Sequence, residues 1–139
     1  MKTAQTLSSY FIGEQSLLIQ CAELFLAKGH TVVGLISDTE SIKAWAEAKG
    51  LEVLSPKQDL NAALGNTPFD YLFSITNFKI LSNDILSKTS SGAINYHDGL
   101  LPSYAGRNVT AWSLINGERE HGITWHLMTE AVDEGNILI

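Results

Sequence analysis

A three-layer α/β fold, built on an open, twisted, mostly parallel sheet of the Rossmann-like type, is predicted by three features of this 139-residue chain. Short apolar runs alternate with amphipathic stretches, the rhythm of repeated βαβ units. Glycines stand at the ends of the amphipathic stretches, at Gly29, Gly50 and Gly117, where helix C-termini belong. The run His30 to Ser37 (HTVVGLIS) is apolar nearly throughout, as a strand covered on both faces must be.

The elements follow in order. Ser9 to Ile12 reads as a first strand closed by Gly13. Gln15 to Lys28 places Leu17, Leu18, Cys21, Leu24 and Phe25 on one helical face. After the strand His30 to Ser37, Asp38 or Thr39 can cap a helix over Glu40 to Lys49, followed by a short strand, Leu51 to Leu54. Lys57 to Leu64 is a weak helix and Gly65 to Pro68 a turn. Phe69 to Ile75 is the fourth strand, and Ser82 to Lys88 a short helix capped by Ser82 or Asn83. Ala93 to His97 is the fifth strand and enters a Gly/Pro-rich loop, Asp98 to Gly106. Asn108 to Ile115 is a helix, and Gly122 to Met128 and Asn136 to Ile139 are the last strands.

Composition sets outer limits. Hydrophobic residues make up 45% and charged residues 17%, the balance of a folded chain. Nine basic against 15 acidic residues give a net charge of −6, which disfavours direct binding to nucleic-acid backbones. An RNA substrate held by another domain remains compatible with it. The lone cysteine, Cys21, cannot form an internal disulfide, so a reducing cytoplasm is the expected compartment. No apolar run approaches the roughly 20 residues of a membrane span. Residues 1–139 read as one domain without repeats or linkers. The chain ends on apolar residues, Ile137 to Ile139, which suggests a piece of a longer polypeptide.

In an open parallel sheet, ligands bind at the carboxyl ends of the strands. Asn95 and His97 lie two apart there, so both side chains point to one face. Taken alone, such a pair also suits a hydrogen-bonded strand terminus. A second acidic loop, Thr129 to Gly135, follows the penultimate strand.

Four motif pieces then stand in order: Asn95-x-His97, Leu100-Leu101-Pro102-x-Tyr104-x-Gly106, Gly122-x-Thr124-x-His126 and Asp133-x-Gly135, with 36 positions from His97 to Asp133. This set resembles the formyltransferase family that uses 10-formyltetrahydrofolate, which includes glycinamide ribonucleotide transformylase, methionyl-tRNA formyltransferase and amino-sugar formyltransferases. The resemblance covers Phe69 to Ile139, about half the chain; the first half agrees in its βα rhythm alone. It implies a formyltransferase-type fold, an N-terminal catalytic domain and a formyl-transferring enzyme with 10-formyltetrahydrofolate as co-substrate and no metal.

Formyl transfer to an amine passes through a tetrahedral oxyanion that needs donors aimed at it. The resemblance assigns that task to Asn95 and a protonated His97, with His97 also handling a proton and Asp133 orienting it or a water. It implies folate contacts from Asn77, Phe78, Ile80 and Leu81 and from Val132 in the loop before Asp133. Phe78, Ile80 and Leu81 equally suit ordinary helix packing. On the acceptor side it implies Leu101, Pro102, Tyr104, Gly106, Thr124 and His126, although Thr124 and His126 also suit satisfied core polar groups.

The chain departs from the pattern of many members. His97-Asp98-Gly99 stands where they read His-Pro-Ser, and Tyr104-Ala105-Gly106 where they read Tyr-Arg-Gly. The loop is less basic as a result, which weighs against a phosphate-rich acceptor, though Arg107 follows one position later. Thr110-Ala111-Trp112 and Thr124-Trp125-His126 most resemble formylation domains of nonribosomal peptide synthetases. The implied acceptor is then an aminoacyl group on a carrier protein, with further domains of a longer polypeptide as partners. An amino-sugar nucleotide, methionyl-tRNA and a noncatalytic domain of the same fold are the alternatives. A metal hydrolase would need His121 and His126 on one face of a strand, which their five-residue spacing opposes. A dinucleotide site would need more than the single Gly13 after the first strand.

Overall fold

The computed structural model describes residues 5–129 and 133–139. Six strands form one sheet in the order β3-β2-β1-β4-β5-β6: β1 (Ser8–Ile12), β2 (Thr31–Ile36), β3 (Glu52–Leu54), β4 (Phe69–Ile75), β5 (Thr89–His97) and β6 (Thr124–Leu127). All neighbours pair in parallel except β6, which runs antiparallel to β5. The helices are α1 (Ser16–Ala27), α2 (Glu40–Ala48), α3 (Leu60–Leu64), α4 (Asn83–Leu86) and α5 (Val109–Ile115).

Alternation along the strands builds two cores, one on each face of the sheet. Tyr10 and Ile12 join Ile36, Leu72 and the residues of α3 and α4, including Leu60, Leu64 and Ile85. Phe11 and Leu35 turn the other way, to Leu18, Ala22, Ile42 and Ala46 of α1 and α2. Each fully buried Leu or Ile contributes about 1.5–3 kcal/mol, so Leu18 and Ile42 do much of the holding. Leu24, expected on the buried face of α1, is 63% exposed because the fully buried positions of that helix are Leu18 and Ala22.

Several element bounds differ from expectation. α3 begins at Leu60, because the Asp59 side chain accepts the Ala62 N–H and caps it there. α2 does start after Thr39, but the Thr39 hydroxyl donates to Glu14 Oε2 at 2.6 Å and makes no cap bond. Ser82 likewise precedes α4 without a side-chain cap bond. β5 begins four residues before Ala93, since pairing with β4 carries it through the exposed Ser90 and Ser91. The expected last strand, Asn136 to Ile139, is a single bridge between His126 and Ile137, with further backbone bonds to Trp125 and Leu127.

Strand order reverses between β1 and β4, which places the switch point beside the carboxyl ends of β4 and β5. At the end of β4, Thr76 takes a left-handed backbone (φ 51°) that turns the chain sharply into residues 77–81. No helix among the described residues is long and apolar enough to cross a membrane.

Candidate active site

A cleft opens at this edge. The end of β4 and the following loop supply Ser74, Thr76 and Asn77 to Leu81; β5 supplies Asn95, Tyr96 and His97; His126, Met128, Gly106, Arg107 and Asp133 complete the lining. Nine of the residues singled out in the sequence therefore meet in one place: Asn95, His97, Asp133, Asn77, Phe78, Ile80, Leu81, Gly106 and His126. Leu101, Pro102, Tyr104 and Thr124 do not line it. Val132 lies outside the described residues.

Antiparallel register sets the inner cluster. Asn95 pairs with His126 and His97 with Thr124, so all four side chains share one face. His97, His126 and Asp133 are nearly fully buried, with side-chain exposures of 6%, 3% and 7%. His97 Nε2 donates to the Tyr104 carbonyl, leaving Nδ1 3.5 Å from Asp133 Oδ1. The other Asp133 oxygen accepts the Gly106 N–H at 2.8 Å. Gly135 explains the Asp-x-Gly spacing: a Cβ there would lie 1.6 Å from the Leu127 carbonyl oxygen, so only glycine lets the loop fold back onto β6 with Asp133 in place.

His126 Nδ1 lies 3.0 Å from the Leu127 carbonyl, which can only accept, so Nδ1 carries the proton. Neutral His126 then accepts from the Asn95 amide at 3.1 Å through Nε2. Asp133 Oδ1 is 3.6 Å from that same nitrogen and would be its partner in the protonated form. In the neutral state His126 holds Asn95 with one amide N–H left for the cleft. Thr124 serves the loop instead: its hydroxyl donates to the Gly99 carbonyl at 2.7 Å and accepts the Leu101 N–H at 3.1 Å. The Leu101–Pro102 bond is cis.

The opposite wall is built by Asn77, whose side chain accepts the Lys79 N–H and donates to the Lys79 carbonyl and Ser74 hydroxyl. That turn presents Phe78 and Ile80 with 59% and 69% exposure, while Leu81 is buried in the core. Lys79 Nζ is tied to the Pro56 carbonyl. Arg107 spans the walls, donating to the Phe78 carbonyl at 3.0 Å with its guanidinium 6.0 Å from the Phe78 ring centre.

Burial, with the Asp98 charge adding to it, holds the Tyr96 phenol above its ordinary pKa, so it remains protonated at neutral pH. Burial also raises the Cys21 thiol, which leaves it a poor nucleophile. Among the described residues no group of three or more His, Cys, Asp or Glu is arranged to hold a metal.

The bare backbone carbonyl of Tyr104 was not readable as a partner of His97, since every residue carries one. Met128 and Ser74 likewise gave no signal of their own.

Fold and site together define a doubly wound α/β domain with an amide, an imidazole and a carboxylate converging at its switch point, a set suited to carbonyl group transfer. The chain belongs to the formyl transferase family, whose model matches residues 28–139. It is 32% identical over 145 residues to a methionyl-tRNA formyltransferase of Anaeromyxobacter dehalogenans (strain 2CP-C), an alignment covering 93% of this chain and 46% of that protein. Over 69 residues it is 48% identical to the bifunctional polymyxin resistance protein ArnA of Wigglesworthia glossinidia brevipalpis, covering 50% of this chain and 11% of ArnA. The chain thus spans about half or less of the curated relatives it matches. In three dimensions it superposes on glycinamide ribonucleotide transformylase 1 of Symbiobacterium toebii with a TM-score of 0.80, at 22% identity, over 96% of this chain and 71% of that one. This last likeness speaks for the fold.

Proposed function

We propose that this chain carries the site that transfers a formyl group from 10-formyltetrahydrofolate to a primary amine. The observation that carries the reading is the convergence of Asn95, His97 and Asp133 in one cleft with the exposed apolar side chains of Phe78 and Ile80. An exposed phenyl ring and a polar turn beside it fit a flat heteroaromatic co-substrate, which needs both an apolar face and edge hydrogen bonds.

In this reading the acceptor nitrogen attacks the formyl carbon, and the bond from that carbon to the folate nitrogen breaks. The attacking amine loses a proton and the leaving nitrogen gains one. The free Asn95 N–H donates to the developing oxyanion. Neutral His97 takes at Nδ1 the proton the amine loses, donates to the oxyanion in that charged form beside Asp133, and hands the proton to the leaving folate nitrogen.

For the acceptor, an aminoacyl group on a carrier protein is favoured over an amino-sugar nucleotide or methionyl-tRNA. Trp112, Leu114 and Ile115 of α5 are 55–74% exposed beside the 98–106 loop, an apolar flank suited to a protein partner. The net charge of −6 leaves this domain poorly suited to hold an RNA by itself. The test follows a labelled formyl group from donor to each of the three acceptors in separate reactions. Label on the aminoacyl carrier protein is expected; label on the sugar or tRNA alone would replace this acceptor, and none on any amine would overturn the reading.

A further inference from the structure

Behind the cleft, residues 116–124 return along the 98–106 loop and grip it through side chains. His121 Nε2 contacts the Asp98 carbonyl at 2.6 Å, and Thr124 holds Gly99 and Leu101. Tyr104 is where the grip is strongest. Its hydroxyl donates to Glu118 Oε1 at 2.8 Å and accepts from Asn116 Nδ2 at 3.3 Å. Its N–H reaches the Leu100 carbonyl at 2.8 Å, and its ring meets His121 edge-on at 6.0 Å. Gly99 closes the other side: a Cβ there would lie 3.1 Å from both the Tyr104 Cβ and carbonyl oxygen.

This fixes the Tyr104 carbonyl, and the carbonyl receives His97 Nε2. A carbonyl can only accept, so Nε2 must carry a proton while the contact holds. Neutral His97 then presents Nδ1, the nitrogen facing Asp133, as its basic atom. Without that carbonyl, Asp133 would favour the opposite tautomer, with the proton on Nδ1. Glu118, 14 positions beyond Tyr104 and outside the cleft, is thus hydrogen-bonded to the residue whose carbonyl meets His97.

We infer that Glu118 is a positioning residue: acting through the Tyr104 hydroxyl, it holds the Tyr104 carbonyl against His97 and selects the tautomer that turns Nδ1 to the cleft. The inference rests on His97 being the acid–base group of the proposed formyl transfer.

The test is ¹⁵N NMR of the histidine rings at a pH above the usual histidine range near 6.5, in the unaltered chain and in Glu118→Ala, Glu118→Gln and Tyr104→Phe, each confirmed folded by circular dichroism. The unaltered chain should show His97 protonated at Nε2. Glu118→Ala and Tyr104→Phe should shift it toward the Nδ1-protonated tautomer, whereas Glu118→Gln, which still accepts from the hydroxyl, should restore the original. In turnover, Glu118→Ala should lower kcat roughly 10-fold with KM unchanged, less than the 10²–10⁴ of the acid–base group itself. Unchanged His97 shifts in Glu118→Ala and Tyr104→Phe, or equal shifts in Glu118→Gln, would overturn the inference. The NMR arm needs no formyl donor, so predicted tautomers without any formyl transfer would overturn the proposed function and leave the positioning by Glu118 standing.

Discussion

Asp70 and Asp133 occupy opposite edges of the same sheet and are held in opposite ways. At the amino edge, Asp70 takes the Ser8 N–H at 2.8 Å and the Ser90 hydroxyl at 2.9 Å, tying β1, β4 and β5 together. These bonds, the Ser8 N–H first, hold its carboxyl below the ordinary aspartate pKa. At the carboxyl edge, Asp133 has one oxygen satisfied by Gly106, while the other stands 3.5 and 3.6 Å from two buried imidazoles. The first carboxylate is spent on structure. The second is buried and faces two imidazoles inside the cleft, where a reaction can use it.

The contrast is broken most forcefully at the carboxyl edge. His97→Ala should cut turnover by about 10³-fold, the mid-range for an acid–base group, with little change in Tm; steady-state rates beside a thermal melt decide it. Asn95→Ala and Asp133→Asn should each cost roughly 10²-fold, as expected for one oxyanion donor or its orienting charge. Gly135→Ala forces backbone apart at Leu127 and should lower both activity and stability, the latter by about 1–3 kcal/mol in a denaturant titration.

The smallest effect belongs to the amino edge. A carboxyl whose pKa is lowered by folding stabilises above the unfolded value near 4, and that contribution is lost as pH falls through the folded value. Asp70→Asn should therefore lower Tm modestly at neutral pH, leave turnover intact, and lose its difference from the unaltered chain as the pH drops below about 4. Melts across that range check it.

Much of this molecule can be read from residue order. The β-branched run of β2 and the 3-to-4 spacing in α1 mark buried layers, because burial on two faces and on one face leave different patterns. Asn95 and His97 share a face for the simple reason that strands alternate. What escapes is whatever depends on long-range geometry. Tyr104 contributes through its carbonyl, Thr124 through its grip on the loop, and the segment after Asp133 pairs with β6 at one bridge, with backbone bonds to Trp125 and Leu127. Local pattern carries no record of such returns.

The central claim, that the cleft between residues 77–81 and Asn95–His97 receives a formylfolate, is tested most directly by titrating the chain with a nonhydrolysable 10-formylfolate analogue under NMR. Saturable one-to-one binding, with shifts concentrated in Phe78, Ile80, Asn95, His97 and His126, is the predicted result. A folded chain whose cleft resonances stay unmoved, or whose shifts fall at the amino edge around Asp70, would contradict the account.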